Sequence, residues 1–357
     1  DCINDKDCIN DKDCINDKDC INDKEKENMI NDRRQLADVF QQTINIVQKG
    51  HYTSENGEEV TLLDNEPMLK GSRFYTKPLD ASNVPTLSEK NAKEKESAKA
   101  KGNNPANAKG NNPANAKGNN PANAKGNESV KAEVCKTQII VRNDDSIHCG
   151  HSLQLEGYNP VVLNLASRRN PGGGVKNGSR AQEESLFRST NLFLSMYRYA
   201  EYAEDYGLEK SRFQYPMPVR FGGIYVPKAT VFRAGAKDDF ALLDTPYYMS
   251  FVAVAAINHP ELDADGNICQ EDANLTKNKM RTMLRIGLLN GHDSIVLGAF
   301  GCGAFHNPPK HIARLFHEVI DEKEFKDKYK LIAFAILEDH NSPRGGNLQP
   351  FIEEFNS

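Results

Sequence analysis

The chain reads as an α/β protein, with a mainly parallel or mixed sheet covered by helices on both faces. Three observations predict this. Near-continuous apolar runs such as Val161-Val162-Leu163-Asn164-Leu165 and Leu331-Ile332-Ala333-Phe334-Ala335-Ile336-Leu337 have the length and composition of strands buried on both faces. Segments with apolar residues at helical spacing separate them. Two glycine-rich loops each leave a strand and enter a helix, the place where open α/β sheets bind ligands.

In chain order, Leu36, Val39, Phe40, Ile44 and Val47 form the apolar stripe of a helix ended by Lys49-Gly50. Such a stripe is core packing. Gln138-Ile139-Ile140-Val141 is a short strand, and Val161 to Leu165 a second. Gly172-Gly173-Gly174 follows, then Ser179-Arg180-Ala181-Gln182, which has the Ser-x-x-Gln form of a capping box. The helix after it carries Glu183 and Glu184 in its first turn, with Leu186, Phe193 and Leu194 at helical spacing. Met249 to Ala255 reads as a strand and Asn278 to Leu289 as a helix with Met280, Met283, Leu284 and Leu288 apolar. Ser294 to Leu297 is a strand. Pro308 to Ile320 is a helix with Asn307 as its cap, and Leu331 to Leu337 is a last buried strand.

At 357 residues the chain has room for one sizeable core plus extras. Residues 1–27 hold four copies of Asp-Cys-Ile-Asn-Asp-Lys, and three copies of Lys-Gly-Asn-Asn-Pro-Ala-Asn-Ala start at Lys101, Lys109 and Lys117. Glycine, proline and asparagine at that density bury too little apolar surface to offset ordering entropy. The expected organisation is therefore low-complexity repeats over 1–27, a helical N-terminal accessory segment over 28–89, a disordered linker over 90–127 and the main domain over 128–357. A net charge of −5 gives no basic footprint for sequence-specific nucleic-acid binding. No apolar run approaches the ~18 residues of a membrane span, and no basic start with an apolar core is read as a secretory signal. An intracellular place, cytoplasmic or nuclear, is expected. Outside the repeat cysteines stand only Cys135, Cys149, Cys269 and Cys302. Neither a metal set nor a disulfide is expected of them.

The chemistry sits in the two loops. Three bare backbones in a row let a ligand lie directly on N–H groups. Helix residues one apart diverge by about 100°. Glu183 and Glu184 therefore cannot flank one bond as the carboxylate pair of an ordinary glycosidase does, roughly 5 Å or more apart. One must act and the other must position. The helix N-terminus beside them favours an anion such as a diphosphate. A capped helix with acidic first-turn residues would look the same. In the second loop, Gly298-Ala299-Phe300-Gly301-Cys302-Gly303-Ala304-Phe305 lacks the spacing of a dinucleotide fingerprint, and no Lys-Ser or Lys-Thr makes it a P-loop. Cys302 as a nucleophile would need a base and a lowered pKa; His306 is the nearest base in sequence.

The run Val162 to Ser167, Asn170-Pro171-Gly172-Gly173-Gly174-Val175, Gly178 and Ala181-Gln182-Glu183-Glu184-Ser185-Leu186 resembles the signature of the microbial-type poly(ADP-ribose) glycohydrolases. That signature is Gly-Gly-Gly, a short spacer and Gln-Glu-Glu; seven residues separate the halves here. Gly301-Cys302-Gly303-Ala304-Phe305 resembles the same family's phosphate-binding loop, and His51-Tyr52-Thr53 its N-terminal segment. The resemblance runs from about residue 30 to the end, interrupted by the repeat insert.

It implies a macrodomain-like three-layer α/β/α fold with a mixed sheet, and hydrolysis of ribose–ribose O-glycosidic bonds in poly(ADP-ribose) without a cofactor, releasing ADP-ribose. It places Glu184 as acid/base, Glu183 on hydroxyls of the terminal ribose and Gln182 on the ligand, with Asn164 ordering the strand end. Gly172, Gly173, Gly174 and Val175, with the backbone of Ala299, Phe300, Gly301, Cys302, Gly303 and Ala304, would wrap the diphosphate, and Phe305 would pack on a ribose. Cys302 is a small loop residue in that family. Some members carry Asn just before the glycines, where Ser167 and Arg168 stand here. Phe232-Arg233 resembles a segment near the pocket. The alternatives are a hydrolase that removes single ADP-ribose units from protein or nucleic acid, and a non-catalytic ADP-ribose-binding macrodomain, against which the intact Gln-Glu-Glu argues. A metal-dependent ADP-ribosyl hydrolase would need clustered acidic ligands.

Overall fold

The computed structural model describes residues 23–102, 135–338, 342 and 345–356. The hexapeptide copies up to residue 22 and the octapeptide copies beyond Gly102 lie outside the described residues. Helix α1 (Asp23–Lys49) comes first, and Gly50 closes it in the left-handed region (φ +79°), its N–H donating to Ile46 O at 2.9 Å. A hairpin of β1 (His51–Thr53) and β2 (Glu59–Thr61) leads to α2 (Glu66–Gly71), β3 (Arg73–Tyr75) and α3 (Leu87–Gly102). Then come β4 (Gln138–Arg142), α4 (Ser146–Leu155), β5 (Pro160–Leu165), α5 (Gln182–Ser189), α6 (Leu192–Met196), β6 (Gly223–Arg233) and β7 (Leu242–Val254). The chain ends with α7 (Gln270–Leu289), β8 (Ser294–Leu297), α8 (Pro309–Ile320), β9 (Leu331–Ala335) and α9 (Leu348–Phe355).

The main sheet has seven strands in the order β3-β6-β7-β5-β8-β9-β4. Strands β7, β5, β8, β9 and β4 are parallel; β6 runs antiparallel to β7, and β3 antiparallel to β6. Side chains alternate across each strand, so the sheet divides two cores. Val162 joins Phe40, Leu153, Leu186, Phe187 and Phe193 on the face covered by α1, α4, α5 and α6. Val161 and Leu163 join Met280, Leu284, Phe316 and Phe351 on the face covered by α7, α8 and α9. This is the three-layer arrangement with a mixed sheet. Fully burying one of these aliphatic or aromatic side chains contributes about 1.5–3 kcal/mol. Phe40 alone meets Phe187, Phe193 and Tyr197 at centroid distances of 6.3 to 6.4 Å.

Several expectations need correction. The accessory segment over 28–89 is not helical throughout, since it holds β1, β2 and β3; it packs on the main domain, with β3 forming an edge of the main sheet and α1 stapled to α5. Arg188 on α5 donates to Leu36 O (Nε, 2.9 Å) and Ser179 O (Nη2, 2.6 Å), while Thr43 Oγ1 donates to Arg188 O (2.6 Å). The stretch from residue 90 is helical as far as Gly102. Thr86 and Glu89 form a reciprocal capping box there, with Thr86 N on Glu89 Oε2 at 2.7 Å and Glu89 N on Thr86 Oγ1 at 3.3 Å. Alanine, glutamate and lysine propagate the helix until the first octapeptide glycine. The strand read at Met249 starts at Leu242, and α7 starts at Gln270, well before Asn278. β6 has no counterpart in the sequence analysis, and Pro227 interrupts it. The ladder absorbs that proline in an irregularity between Val226 and Ala229, with Lys228 at φ +49°.

Arg188 is fully buried and ties α1, α5 and the glycine loop together. Arg188→Met should destabilise by about 1–3 kcal/mol for each carbonyl left without its donor. Urea unfolding should show a lower midpoint at unchanged slope.

Candidate active site

All five parallel strands end on one edge, and the two glycine loops leave neighbouring strands there, β5 and β8, paired through Val162 and Val296. The first loop turns tightly, with Gly173 N on Asn170 O (3.0 Å) and Val175 N on Gly172 O (3.1 Å). Gly172 and Gly173 have φ of +77° and +53°, the left-handed region that side chains disfavour. A Cβ on Gly173 would overlap Glu184 Oε1, and one on Gly172 would lie 2.7 Å from the Phe187 ring. The bare backbone is what lets a carboxylate lie on the loop.

Gln182 fixes where α5 begins. The β5–β8 ladder stops at Val162, and beyond it the Gln182 amide takes a strand's place. Its Oε1 accepts from Leu165 N at 2.9 Å and its Nε2 donates to Leu163 O at 2.7 Å and to Ser146 Oγ at 3.0 Å. The amide is thus engaged with β5 and α4. The capping box expected from Ser179 does not form; Ala181 holds the cap position, and Ser179 gives its carbonyl to Arg188.

The two glutamates diverge as their spacing requires. Glu183 is 2% exposed. Its Oε2 accepts from Ser167 N (2.7 Å), and its Oε1 from Gly172 N (3.1 Å) and Asn164 Nδ2 (3.3 Å). Burial pushes its carboxyl from the ordinary 4.5 up to about 8, opposed by the Ser167 N–H and reinforced by the charge of Glu184. Glu184 is 7% exposed. Its Oε1 accepts from Gly174 N at 2.9 Å, and its Oε2 is buried with no partner among the described residues. One carboxylate is fully used in holding the loop; the other keeps an oxygen in reserve. The buried Arg188, one turn further along α5, adds positive charge that acts on Glu184.

A tyrosine cluster completes this wall, and the sequence reading missed it. Tyr197, Tyr202 and Tyr215 all have hydroxyls pushed upward, first by burial and also by the charge of Glu183. The hydroxyls of Tyr197 and Tyr215 are buried without a partner among the described residues. Lys176, just past the glycines, lies over Tyr202 (4.0 Å), Tyr206 (4.8 Å) and Tyr197 (5.3 Å), which pins the loop to the cluster. The only signal was the density of tyrosine between residues 197 and 206.

The second loop is braced from behind. Asn307 Nδ2 donates to Ile257 O (2.7 Å), Gly301 O (3.0 Å) and Phe305 O (3.2 Å). Asn307 is therefore a buried strut, and Pro308 holds the cap position expected of it. Gly301 (φ +77°) sits against Asn307 and Ala256, where a Cβ would collide with both. Cys302 is buried and its thiol is pushed far up by desolvation, which removes it as a nucleophile at neutral pH. Phe305 is half-buried beside Cys302 and the α8 core. Asn164, Gln182, Glu183, Glu184 and the first glycines thus meet in one bonded cluster, and residues 299–305 border it on the next parallel strand. Phe232-Arg233 lies in β6, where Arg233 donates to Thr43 Oγ1 (3.2 Å) and Phe240 O (2.9 Å), a brace for α1. Among the described residues, no three His, Cys, Asp or Glu side chains are grouped to hold a metal ion, and no helix is long and apolar enough to cross a membrane.

A family model described as microbial-type PARG, catalytic domain, matches residues 40–234. Among solved structures, the poly(ADP-ribose) glycohydrolase of Thermomonospora curvata is similar, at 24% identity and TM-score 0.63, covering 90% of this chain and 100% of that one. Its complex with the inhibitor ADP-HPD matches at 24% identity and TM-score 0.62 over the same shares. The Deinococcus radiodurans poly(ADP-ribose) glycohydrolase in complex with ADP-ribose matches at 23% identity and TM-score 0.53, covering 83% of this chain and 99% of that one. These structural likenesses bear on the fold. No curated protein matches the chain.

The raised Glu183 carboxyl has a stability consequence. The unfolded chain releases this proton near pH 4.5 and the folded one near pH 8. Between those values the folded state binds more protons, so this group's contribution to stability falls as pH rises. Urea unfolding from pH 4.5 to 8 should show a shallower fall for Glu183→Ala than for the unsubstituted protein.

Proposed function

The chain belongs to the microbial-type poly(ADP-ribose) glycohydrolase family, whose catalytic-domain model spans more than half of it. Starting from its activity, the hydrolysis of poly(ADP-ribose), we propose that Glu184 is the acid/base that cleaves the ribose–ribose bond. One observation carries the assignment. The Gly174 N–H occupies Glu184 Oε1 as an acceptor, which directs a proton to Oε2, the buried oxygen that has no partner among the described residues.

In the first half-reaction Oε2–H gives its proton to the leaving ribose oxygen as the bond to the anomeric carbon breaks. The developing oxocarbenium ion faces the carboxylate left behind. In the second half, that carboxylate takes a proton from the incoming water as its oxygen bonds to the anomeric carbon, which restores Glu184 and releases ADP-ribose. The arrangement of Glu183 supports a positioning part. Its three donors fix the backbone at Ser167 and Gly172, and its charge, where ionised, favours the cationic centre. Gln182 likewise sets the start of α5. The N–H groups of Gly172 to Val175, expected to wrap the diphosphate, are instead taken by Glu183, Asn170 O, Glu184 and Gly172 O. The diphosphate therefore lies along the N–H groups of the Ala299–Phe305 loop other than that of Cys302, close to the positive end of α5.

Glu184→Gln should lower release of ADP-ribose from polymer by about 10²–10⁴-fold while ADP-ribose still binds in calorimetry. Undiminished turnover by that variant would refute the assignment.

A further inference from the structure

Away from the two glycine loops, the surface bears two cavities of about 480 and 650 Å³ that share Phe74, Arg212 and Phe213. Together they form one furrow along β3, the open edge of the sheet, and each is of the size that takes a small ligand, about 300–1,000 Å³. Its charge runs against that of the whole chain. The lining holds Lys70, Arg73, Lys77, Arg198 and Arg212 with one carboxylate, Glu209, in a chain of net charge −5. Some of these cations are already engaged: Lys70 with Glu66, Arg73 with Ser72 O at 2.8 Å, and Arg198 with Leu69 O at 3.0 Å. Arg212 and Lys77 are exposed. The floor is aromatic. The Arg212 guanidinium lies 4.8 Å from the centre of the Phe213 ring, and Phe213 stacks on Phe74 at 6.2 Å with the planes 10° apart.

Two features join this furrow to the glycosidase site. Tyr75 pairs with Gly223, and Ile224 pairs with Ala253, so β3 ends on the edge where β5 and β7 end. The strap over residues 211–217 is fastened at both ends of the gap: Met217 N donates to Arg168 O beside the glycine loop (2.9 Å), and Tyr215 N donates to Tyr199 O (2.8 Å). Tyr215 packs edge-on against Phe74 at 6.1 Å while its hydroxyl lies within the field of Glu183. Tyr215 thus touches the furrow with its ring, and its strap is tied to the glycine loop through Met217.

We propose that the furrow is a polymer subsite, holding the adenine of the ADP-ribose unit next to the scissile bond on Phe213–Arg212 and that unit's diphosphate against Lys77 and Arg73. The proposal rests on the glycohydrolase reading. In a ribose–ribose bond the leaving oxygen belongs to the adenosine ribose of the next unit, so adenine and diphosphate leave the cleft attached to it. A flat π-surface flanked by cations is the chemistry that holds a base and its phosphates. Single-stranded RNA has the same groups, but only the polymer must enter Glu184's cleft and this furrow at once.

The test measures affinity for long poly(ADP-ribose) by filter binding in the Glu184→Gln protein, with and without Lys77→Glu and Arg212→Glu together, and separately with Phe213→Ala. Polymer KM is measured for the same changes in the active protein. Polymer affinity should fall about tenfold or more, with a flatter salt dependence and a matching rise in KM, while free ADP-ribose binds as before. The two charge reversals are on exposed side chains, so they keep the test open if Phe213→Ala loses its fold. Unchanged polymer affinity in the charge-reversed protein overturns the proposal. So does loss of RNA binding with polymer affinity unmoved, which would give the furrow to nucleic acid. Failure of the active protein to release ADP-ribose at all would count against the glycohydrolase assignment, while the binding arm would still decide the subsite.

Discussion

The site depends on the approach of a carboxylate to a backbone without side chains. Glu184 can rest on the Gly174 N–H because Gly173 has no Cβ in its path. Glu183 holds the loop at Ser167 and Gly172 from the other side. Burying two neighbouring carboxylates is costly, and the raised Glu183 carboxyl is the local sign of that cost. The cost is offset by N–H donors aimed at the carboxylates and by the buried Arg188 behind them. Burial and hydrogen bonding are concentrated where the proposed mechanism holds a proton out of water and delivers it to a sugar oxygen.

The rest of the architecture keeps that approach in register. Helix α1 lies directly against the loop, since a Cβ on Gly178 would run into Arg33 O, and Arg188 bonds to α1 and the loop together. Gln182 extends the β5 ladder past the point where β8 leaves it, so the helix start is fixed by the sheet and not by a capping side chain. Lys176 among the tyrosines holds the far end of the glycines. The N-terminal segment is thus packed into the same folded unit as the glycine loop.

What was legible in the sequence was what local spacing dictates. Adjacent glutamates on a helix must diverge, and they do. Consecutive glycines must make a bare turn, and they do. Buried parallel strands showed as apolar runs at Val161 and Leu331. What was hidden depended on partners far away in the chain. β3 is three residues long and becomes a strand only by pairing with β6, while β6 carries a proline that argues against a strand. The role of Gln182 needed the end of a ladder that the sequence does not mark, and Ser179 fitted a cap motif that the loop geometry left unused. Tyr197, Tyr202 and Tyr215 bear on the site only through the fold.

The most direct test of the account is the structure of the protein with ADP-ribose bound. Glu184 Oε2 should lie within hydrogen-bond distance of the terminal ribose, about 2.5–3.0 Å, with Oε1 still on the Gly174 N–H and the diphosphate between the two glycine loops. A terminal ribose out of reach of residue 184, or a diphosphate bound away from those loops, would contradict it.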